Sequence, residues 1–230
     1  MMNTGSLRTV LESGQPIAEH RPWPRVIVTP EIWNALSKGL AGGVWTLLGL
    51  WGEAGMAHLA VREDATGLLG VASLPCPDGR FPSVGRWHPP AQRLERAMAD
   101  LVGLQPLDAP DSRPWLDHGR WPLRHPLGRA AKPTGALPPY RFLPAEGESL
   151  HQIPVGPVHA GIIEPGHFRF TANGEAVVRL EERLGYVHKG IESLLTGATL
   201  EQAARLVGRV SGDSTVAYAL AFARAVEAAT

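Results

Sequence analysis

The segment "GPVHAGIIEPGH" holds the densest group of polar side chains in the sequence, with His159, Glu164 and His167 inside nine positions. Two imidazoles and a carboxylate could hold a metal ion or pass protons among themselves. The spacing matches no zinc-binding motif, and Pro165-Gly166 breaks any helical register between the glutamate and the second histidine. A tight turn with a hydrogen-bonded histidine on either side is the alternative interpretation.

Composition excludes several classes of protein. The 22 basic and 22 acidic residues leave no electrostatic footprint for nucleic acid, so we expect no such partner. A single cysteine, Cys76, excludes a disulfide framework and a multi-cysteine metal site within this chain. No apolar run approaches the roughly 20 residues that cross a bilayer, and the N-terminus lacks the apolar core of a secretion signal. These features predict a soluble, cytoplasmic protein that could still bind a membrane-embedded partner.

Residues 20–105 predict a small α/β module. A short strand leads into a helix with Thr29 at the N-cap, Pro30 at the first helical position and Gly39 past the end. Strands are predicted at "GVWTLLGLW", "MAHLAVRE", "GVASLP" and "FPSV". A second helix over "AQRLERAMADLVG" places four side chains on one face: Leu94, Ala97, Met98 and Leu101.

Proline interrupts every candidate run in residues 106–150, which predicts an extended linker. Residues 151–230 then begin a different pattern, in which "HFRFTA" and "EAVVRL" flank Asn173-Gly174 and predict a β-hairpin. Helices follow the hairpin. The predicted fold class is therefore α+β, with a small N-terminal α/β module, a Pro-rich linker, and a β-hairpin followed by helices.

Two helices are predicted near the end of the sequence. Thr199 and Gln202 form a capping box, and Asp213 or Ser214 caps the apolar run "STVAYALAFARAVEAAT". That run has no stop signal, so we expect an exposed apolar helix that needs a partner, and a chain that is a fragment or split subunit. Ser214 could also be taken for a hydrolase nucleophile, but no G-x-S-x-G elbow surrounds it.

A resemblance to a known family rests on the run "IPVGPVHAGIIEPGHFRFTANGEAVVRLEERLGYVHKGIESLL". It resembles the start of the large subunit of membrane-bound, energy-converting nickel–iron hydrogenases of the formate hydrogenlyase type. It is similar, more remotely, to the quinone-site half of the fused C–D subunit of proton-pumping NADH:quinone oxidoreductase. The earlier segments "RLERAMADLVGL" and "RWPLRHPLG" resemble a diverged form of the first half of that fused subunit. The resemblance implies that residues 151–230 begin a helical domain like that of the hydrogenase large subunit.

The sequence departs from that family where the metal would be held. Family hydrogenases carry an Arg-x-Cys-Gly-x-Cys pattern, whereas here Arg209 is followed by Ser211 and Ser214, and Tyr218 stands where a histidine is expected. A serine hydroxyl is too hard a donor, with too high a pKa, to replace a thiolate at nickel and iron. We therefore expect this chain to bind no metal or cofactor of its own.

The resemblance also implies roles for individual residues. His159 falls at the loop that enters the quinone pocket of the NADH:quinone oxidoreductases, and Glu164 falls at a proton-conducting glutamate of the hydrogenases. With His167 and Asp213 they form the predicted catalytic set, and His159 and Arg209 form the predicted quinone-binding pair. A buried Glu164 would have a raised pKa suited to a proton relay.

The expected function is that of a metal-free subunit in a membrane-associated oxidoreductase complex. The expected partners are a small subunit that holds an iron–sulfur cluster, membrane-embedded subunits, and a separate C-terminal remainder of the same subunit. The expected location is the cytoplasmic, inner face of the cell membrane. The alternative is a non-catalytic structural or assembly paralogue that keeps only the inter-subunit surface.

Overall fold

The computed structural model describes residues 6–161 and 163–230 and confirms a mixed α+β fold. The helices are α1 (Leu7–Glu12), α2 (Pro30–Ala41), α3 (Gln92–Val102), α4 (Ile191–Leu195), α5 (Leu200–Val207) and α6 (Thr215–Ala229). The strands are β1 (Gln15–Pro16), β2 (Arg25–Ile27), β3 (Trp45–Glu53), β4 (Met56–Glu63), β5 (Leu69–Pro75), β6 (Arg80–Pro82), β7 (Gln105–Leu107), β8 (Leu150–Val158), β9 (Gly166–Asn173) and β10 (Ala176–Arg183). In the described residues, no helix combines the length and the apolarity needed to cross a membrane.

The chain divides into two compact units. The first contains the described part of residues 1–113, residues 122–133 and Ala229. The second contains residues 114–121, the described part of 134–228, and Thr230. Residues 108–149 contribute to both units and carry no helix or strand apart from an isolated bridge between Arg124 and Ala131.

The first unit is built on a five-stranded sheet in the order β1-β2-β5-β4-β3, in which β2 and β5 are parallel and the other pairs are antiparallel. Alternate residues of β4 point into the core, because successive side chains of a strand face opposite sides. The core cluster extends from Leu7 to Leu104 and takes side chains from the sheet and from the helices. Among its least exposed members are Trp33, Leu36, Ala57, Leu59 and Phe81.

The capped start of α2 is confirmed, with Thr29 at the N-cap and Pro30 first in the helix, but two details of the helices are wrong. Gly39 lies inside α2 rather than past its end. A glycine is needed at this position because a Cβ would come within 2.4 Å of the Trp45 ring. The predicted apolar face of α3 is also rotated. Leu94 is exposed and Glu95 is buried, because the Glu95 carboxylate accepts three hydrogen bonds from a neighbouring loop.

The second unit contains a three-stranded antiparallel sheet in the order β10-β9-β8. The hairpin predicted at Asn173-Gly174 is confirmed, but its two loop residues are Gly174 and Glu175. Asn173 ends β9 opposite Ala176, and Gly174 has a positive φ (+56°). Strand β8 was not predicted, because Pro154 and Pro157 interrupt it. Proline is tolerated there because β8 is an edge strand.

One face of this sheet is polar and covered by irregular chain. The Arg169 guanidinium lies 4.2 Å from the centre of the Phe142 ring. Arg179 Nη2 donates to the carbonyl oxygens of Leu143 (3.0 Å) and Pro144 (2.9 Å). Glu181 accepts from the Leu143 backbone N–H at 3.1 Å. The Pro-rich segment is therefore held to the sheet by arginine contacts.

The opposite face of the sheet is apolar and open. Register places Phe170 between Ile153 on β8 and Leu180 on β10, and their alternation puts all three on the same side. Ile153 is 44% exposed and Leu180 is 49% exposed. This arrangement reverses the usual one, in which the apolar face is packed and the polar face meets water.

Candidate functional site

His159 and Glu164 lie in the turn that joins β8 to β9. His159 Nδ1 is 2.5 Å from the Ile163 carbonyl oxygen, and the Ile163 backbone N–H donates to the His159 carbonyl oxygen at 3.2 Å. Ala160 and Gly161 both have positive φ, at 53° and 73°. The turn therefore folds back on itself and leaves Nε2 of the exposed His159 facing outward from this contact.

Glu164 is joined to a lysine that begins the helical part of the unit. Glu164 Oε1 is 2.6 Å from Lys189 Nζ, and the two side chains are 38% and 40% exposed. The same ammonium donates to the carbonyl oxygens of Arg209 (3.2 Å) and Val210 (3.3 Å). Lys189 therefore connects the β8–β9 turn to the segment that carries the two serines. The burial expected for Glu164 is not met in this unit.

Lys189 is a residue of this junction that the sequence analysis does not single out. Its neighbour His188 stacks on Trp121, with ring centres 4.8 Å apart. The sequence signal that could have identified Lys189 is a cation placed between "GYVH" and the start of a helix. Its partners come from positions 25 residues before and 20 residues after it, which no local pattern identifies.

His167 lies inside the sheet rather than in the turn. It is 8% exposed, its Nδ1 is 3.2 Å from the Gly156 carbonyl oxygen, and its Nε2 accepts from Arg169 Nε at 3.3 Å. Contacts at both ring nitrogens fix the orientation of the imidazole. These partners differ from those of His159 and Glu164.

Asp213 lies in a short 3-10 turn, Gly212–Ser214, that leads into α6, and its side chain is exposed. Thr215 Oγ1 donates within this turn, to the carbonyl oxygens of Ser211 and Gly212, both at 3.3 Å. Of the predicted residues, the structure brings together Glu164 and the Arg209 backbone, through Lys189. Nowhere in residues 6–161 and 163–230 do three His, Cys, Asp or Glu side chains group as a metal site would require.

A cleft of about 970 Å³ lies beside this junction, within the second unit. Its walls come from α4, α5 and the turn between them. Apolar side chains of Ile191, Leu194 and Leu206 line it, and the cations Lys189, Arg205 and Arg209 border it. Arg205 forms an ion pair with Glu201 along α5. The cleft thus combines an apolar lining with hydrogen-bond donors at its edge.

Cys76 lies in the first unit and is buried. Its Sγ is 3.3 Å from the Leu74 carbonyl oxygen, and burial raises the pKa of the thiol. A buried thiol with a raised pKa carries little thiolate, so it is a structural cysteine.

Comparison with known proteins gives two kinds of match. Residues 57–136 match the family described as the respiratory-chain NADH dehydrogenase 30 Kd subunit. Longer matches join both units. The chain is 37% identical to hydrogenase-4 component G of Escherichia coli (strain K12) over 156 residues, and 33% identical to formate hydrogenlyase subunit 5 of the same organism over 157 residues.

A more distant match is to the C/D subunit of NADH-quinone oxidoreductase from Phocaeicola vulgatus, with 25% identity over 185 residues that cover 70% of this chain and 36% of that protein. The two Escherichia coli matches each cover 64% of this chain. The chain spans about 28% of the length of either of those relatives.

Proposed function

We propose that the chain is a metal-free subunit of a membrane-associated respiratory or hydrogenase-like complex, as its motifs predicted. The similarity of the chain to hydrogenase and complex I-type subunits supports this proposal. Its place would be peripheral, on the inner face of the cell membrane. Its partners would be an iron–sulfur small subunit and membrane-embedded subunits.

The observation that carries this proposal is the reversed sheet of the second unit. Its polar face is packed by the chain itself, while Ile153, Val177 and Leu180 present 44%, 58% and 49% of their surface to solvent. Helix α6 adds Val216 at 78% and Leu220 at 50%, and none of its residues is buried. A helix that carries apolar side chains on most of its surface is normally covered by protein. Both features are expected of a subunit that is covered in an assembly.

The residues present do not fit a thiolate-bound nickel–iron centre. Ser211 and Ser214 offer hydroxyl oxygens where such a centre requires soft thiolates. Stoichiometric nickel held by this subunit in the purified assembly would overturn the metal-free assignment.

The finer part of the proposal is that the second unit handles protons and a quinone headgroup. A quinone needs donors to its carbonyl oxygens and a source of protons when it is reduced. The cleft bordered by Arg205 and Arg209 offers donors beside apolar walls, which supports such a ligand. Glu164 and His159 would exchange protons at its edge, and Asp213 and His167 belong to the same proposed set.

A specific observation favours the alternative of a structural or assembly subunit. The Glu164 carboxylate is already paired with an ammonium at 2.6 Å, and Lys189 also holds two backbone carbonyls. Such a junction could have a purely structural role, in which it fixes the β8–β9 turn to the segment before α6. The two functions differ in whether turnover depends on these side chains.

The test uses the chain tagged in its native host and purified from solubilised membranes. Co-purification of an iron–sulfur protein is expected, and electron transfer to a short-chain quinone should fall at least tenfold in Glu164→Gln and in His159→Ala. Glu175→Gln, at the exposed tip of the hairpin, is the matched control. Unchanged turnover in all three variants would favour the structural role. A chain that associates with no other subunit would contradict both proposed functions.

A further inference from the structure

Helix α3 of the first unit carries a carboxylate that the proposed function does not use. Glu95 is 1% exposed and accepts hydrogen bonds from the backbone N–H groups of Val84 (2.6 Å) and Gly85 (3.1 Å) and from Ser83 Oγ (2.9 Å). Burial raises the pKa of this carboxyl. A buried carboxylate is costly, so its three donors indicate that the loop after β6 must be held in one conformation.

The loop is fixed by further bonds at its tip. The Arg86 backbone N–H donates to Ser83 Oγ at 3.0 Å, and that of Trp87 donates to the Val84 carbonyl oxygen at 3.0 Å. What the rigid loop presents outward is an arginine and a tryptophan. The Arg86 side chain is 51% exposed and Trp87 is 42% exposed. These two side chains therefore contribute little to the packing of the core of this unit.

These two side chains border a cleft of about 420 Å³, which we call the Trp87 cleft, lined also by Asn34, Lys38, Leu107 and Asp108. Two cations flank the indole: Lys38 Nζ is 5.4 Å and the Arg86 guanidinium 5.5 Å from its ring centre. Asp108 pairs with Arg86 at 2.6 Å. Within the described residues no acidic group is paired with Lys38, so the cleft keeps an excess positive charge. Leu107 adds a 44% exposed apolar wall.

We propose that the Trp87 cleft is the docking site for an acidic segment of a partner protein that also carries an apolar side chain. Its carboxylates complement Lys38 and Arg86, and its apolar group packs on Trp87 and Leu107. Tryptophan and arginine are the residues most enriched where binding energy concentrates at interfaces. The exposure of Arg86, Trp87 and Leu107 favours a protein segment over a small molecule, since sites for small ligands enclose most of the ligand surface.

The proposal is tested by nuclear magnetic resonance on the whole ¹⁵N-labelled chain. The probe is the peptide acetyl-Asp-Glu-Leu-Phe-Glu-amide, and its neutral match is acetyl-Asn-Gln-Leu-Phe-Gln-amide. The Trp87 indole N–H signal is assigned with Trp87→Phe. The acidic peptide should shift that signal saturably, and raised salt should weaken the binding because the charges are exposed.

Variants separate the charge contribution from nonspecific attraction. Lys38→Gln and Arg86→Gln should each weaken the acidic peptide at least threefold, and the neutral peptide should bind at least tenfold more weakly than the acidic one. Lys132→Gln, an exposed cation elsewhere in the first unit, should change nothing. Equal binding of both peptides, or no shift at Trp87 at saturating acidic peptide, would overturn the proposal. The Trp87 cleft shares no residue with Glu164 or the cleft beside α5, so either outcome leaves the quinone proposal to its own test.

Discussion

The two units of this chain solve the problem of burying apolar surface differently. In the first unit a continuous core from Leu7 to Leu104 packs one face of the five-stranded sheet against helices. In the second, irregular chain covers the polar face of the sheet, while its apolar face and helix α6 remain exposed. Apolar burial stabilises proteins by about 25 cal/mol per Å². The first unit obtains this stabilisation within itself, and the second leaves much of it to be gained on association.

The largest expected difference between the units comes from one substitution made in each. Leu36 in α2 is fully buried and Leu220 in α6 is 50% exposed. Leu36→Ala should lower the free energy of unfolding by about 2–5 kcal/mol, whereas an exposed change such as Leu220→Ala should stay within about 0.5 kcal/mol. Urea unfolding followed by tryptophan fluorescence measures both. Equal losses would show that α6 is packed in the isolated chain.

Glu95→Ala is expected to have the next largest effect, because it leaves three buried donors without an acceptor. Each such group costs about 1–3 kcal/mol. Glu95→Gln keeps an acceptor for the two backbone N–H groups and should lose less. The same urea unfolding measurement ranks the two variants, and an equal loss in both would show that the carboxylate does not hold the loop.

The same carboxyl predicts a pH dependence of known sign. Its pKa is raised in the folded state, so the folded state holds its proton above pH 4.5, where the unfolded chain releases it. The contribution of Glu95 to stability is present below that pH and is lost as the pH rises through the folded value. The unfolding free energy of Glu95→Gln should therefore decline less than that of the wild type above pH 4.5. Parallel pH profiles would contradict this.

Lys189→Met should change the free energy of unfolding only slightly but should loosen the backbone near residues 210–214. Ion pairs as exposed as Glu164–Lys189 contribute about 0–1 kcal/mol. Loss of the ammonium also frees the carbonyl oxygens of Arg209 and Val210, so amide hydrogen exchange in residues 210–214 should become faster. Lys132→Met is the control. Unchanged amide exchange in these residues would show that Lys189 does not hold the segment in place.

The smallest expected change in stability comes from the open sheet face. Leu180→Lys adds a charge at a position that is 49% exposed, and should alter the free energy of unfolding by no more than about 0.5 kcal/mol. It should nevertheless reduce concentration-dependent self-association measured by sedimentation velocity, whereas Glu175→Lys on the same hairpin should not. A large loss of stability would mean that the face is already packed.

Several elements could be predicted because their signals are local. The hairpin follows from Gly174, which adopts the positive φ of the turn without steric cost, and the Thr199–Gln202 capping box follows from hydrogen bonds three residues apart. The pattern of β4 follows from alternation alone. The family resemblance, which rests on ordered sequence motifs, is confirmed by the matches to hydrogenase and complex I-type subunits.

The sequence-based predictions were wrong or incomplete where contacts with other segments of the chain determine the role of a residue. Glu95 is buried because a loop ten or more residues earlier in the chain supplies its hydrogen-bond donors. The spacing of apolar residues alone therefore places the buried face of α3 one residue away from its true position. Gly39 lies within α2, where the Trp45 ring leaves no room for a Cβ, so this glycine is not the end signal of the helix. The significance of Lys189 depends on Glu164 and Arg209, which are far from it in the chain.

What the sequence by itself determined is the set of local structures, the family resemblance, and the oxygen donors that Ser211 and Ser214 offer. Only the tertiary structure decided which face of each sheet is covered, that Lys189 joins Glu164 to the Arg209 segment, and that Trp87 stands outward between two cations. Turns, caps and donor chemistry depend on a few adjacent atoms, whereas burial and ion pairing depend on which distant segments meet.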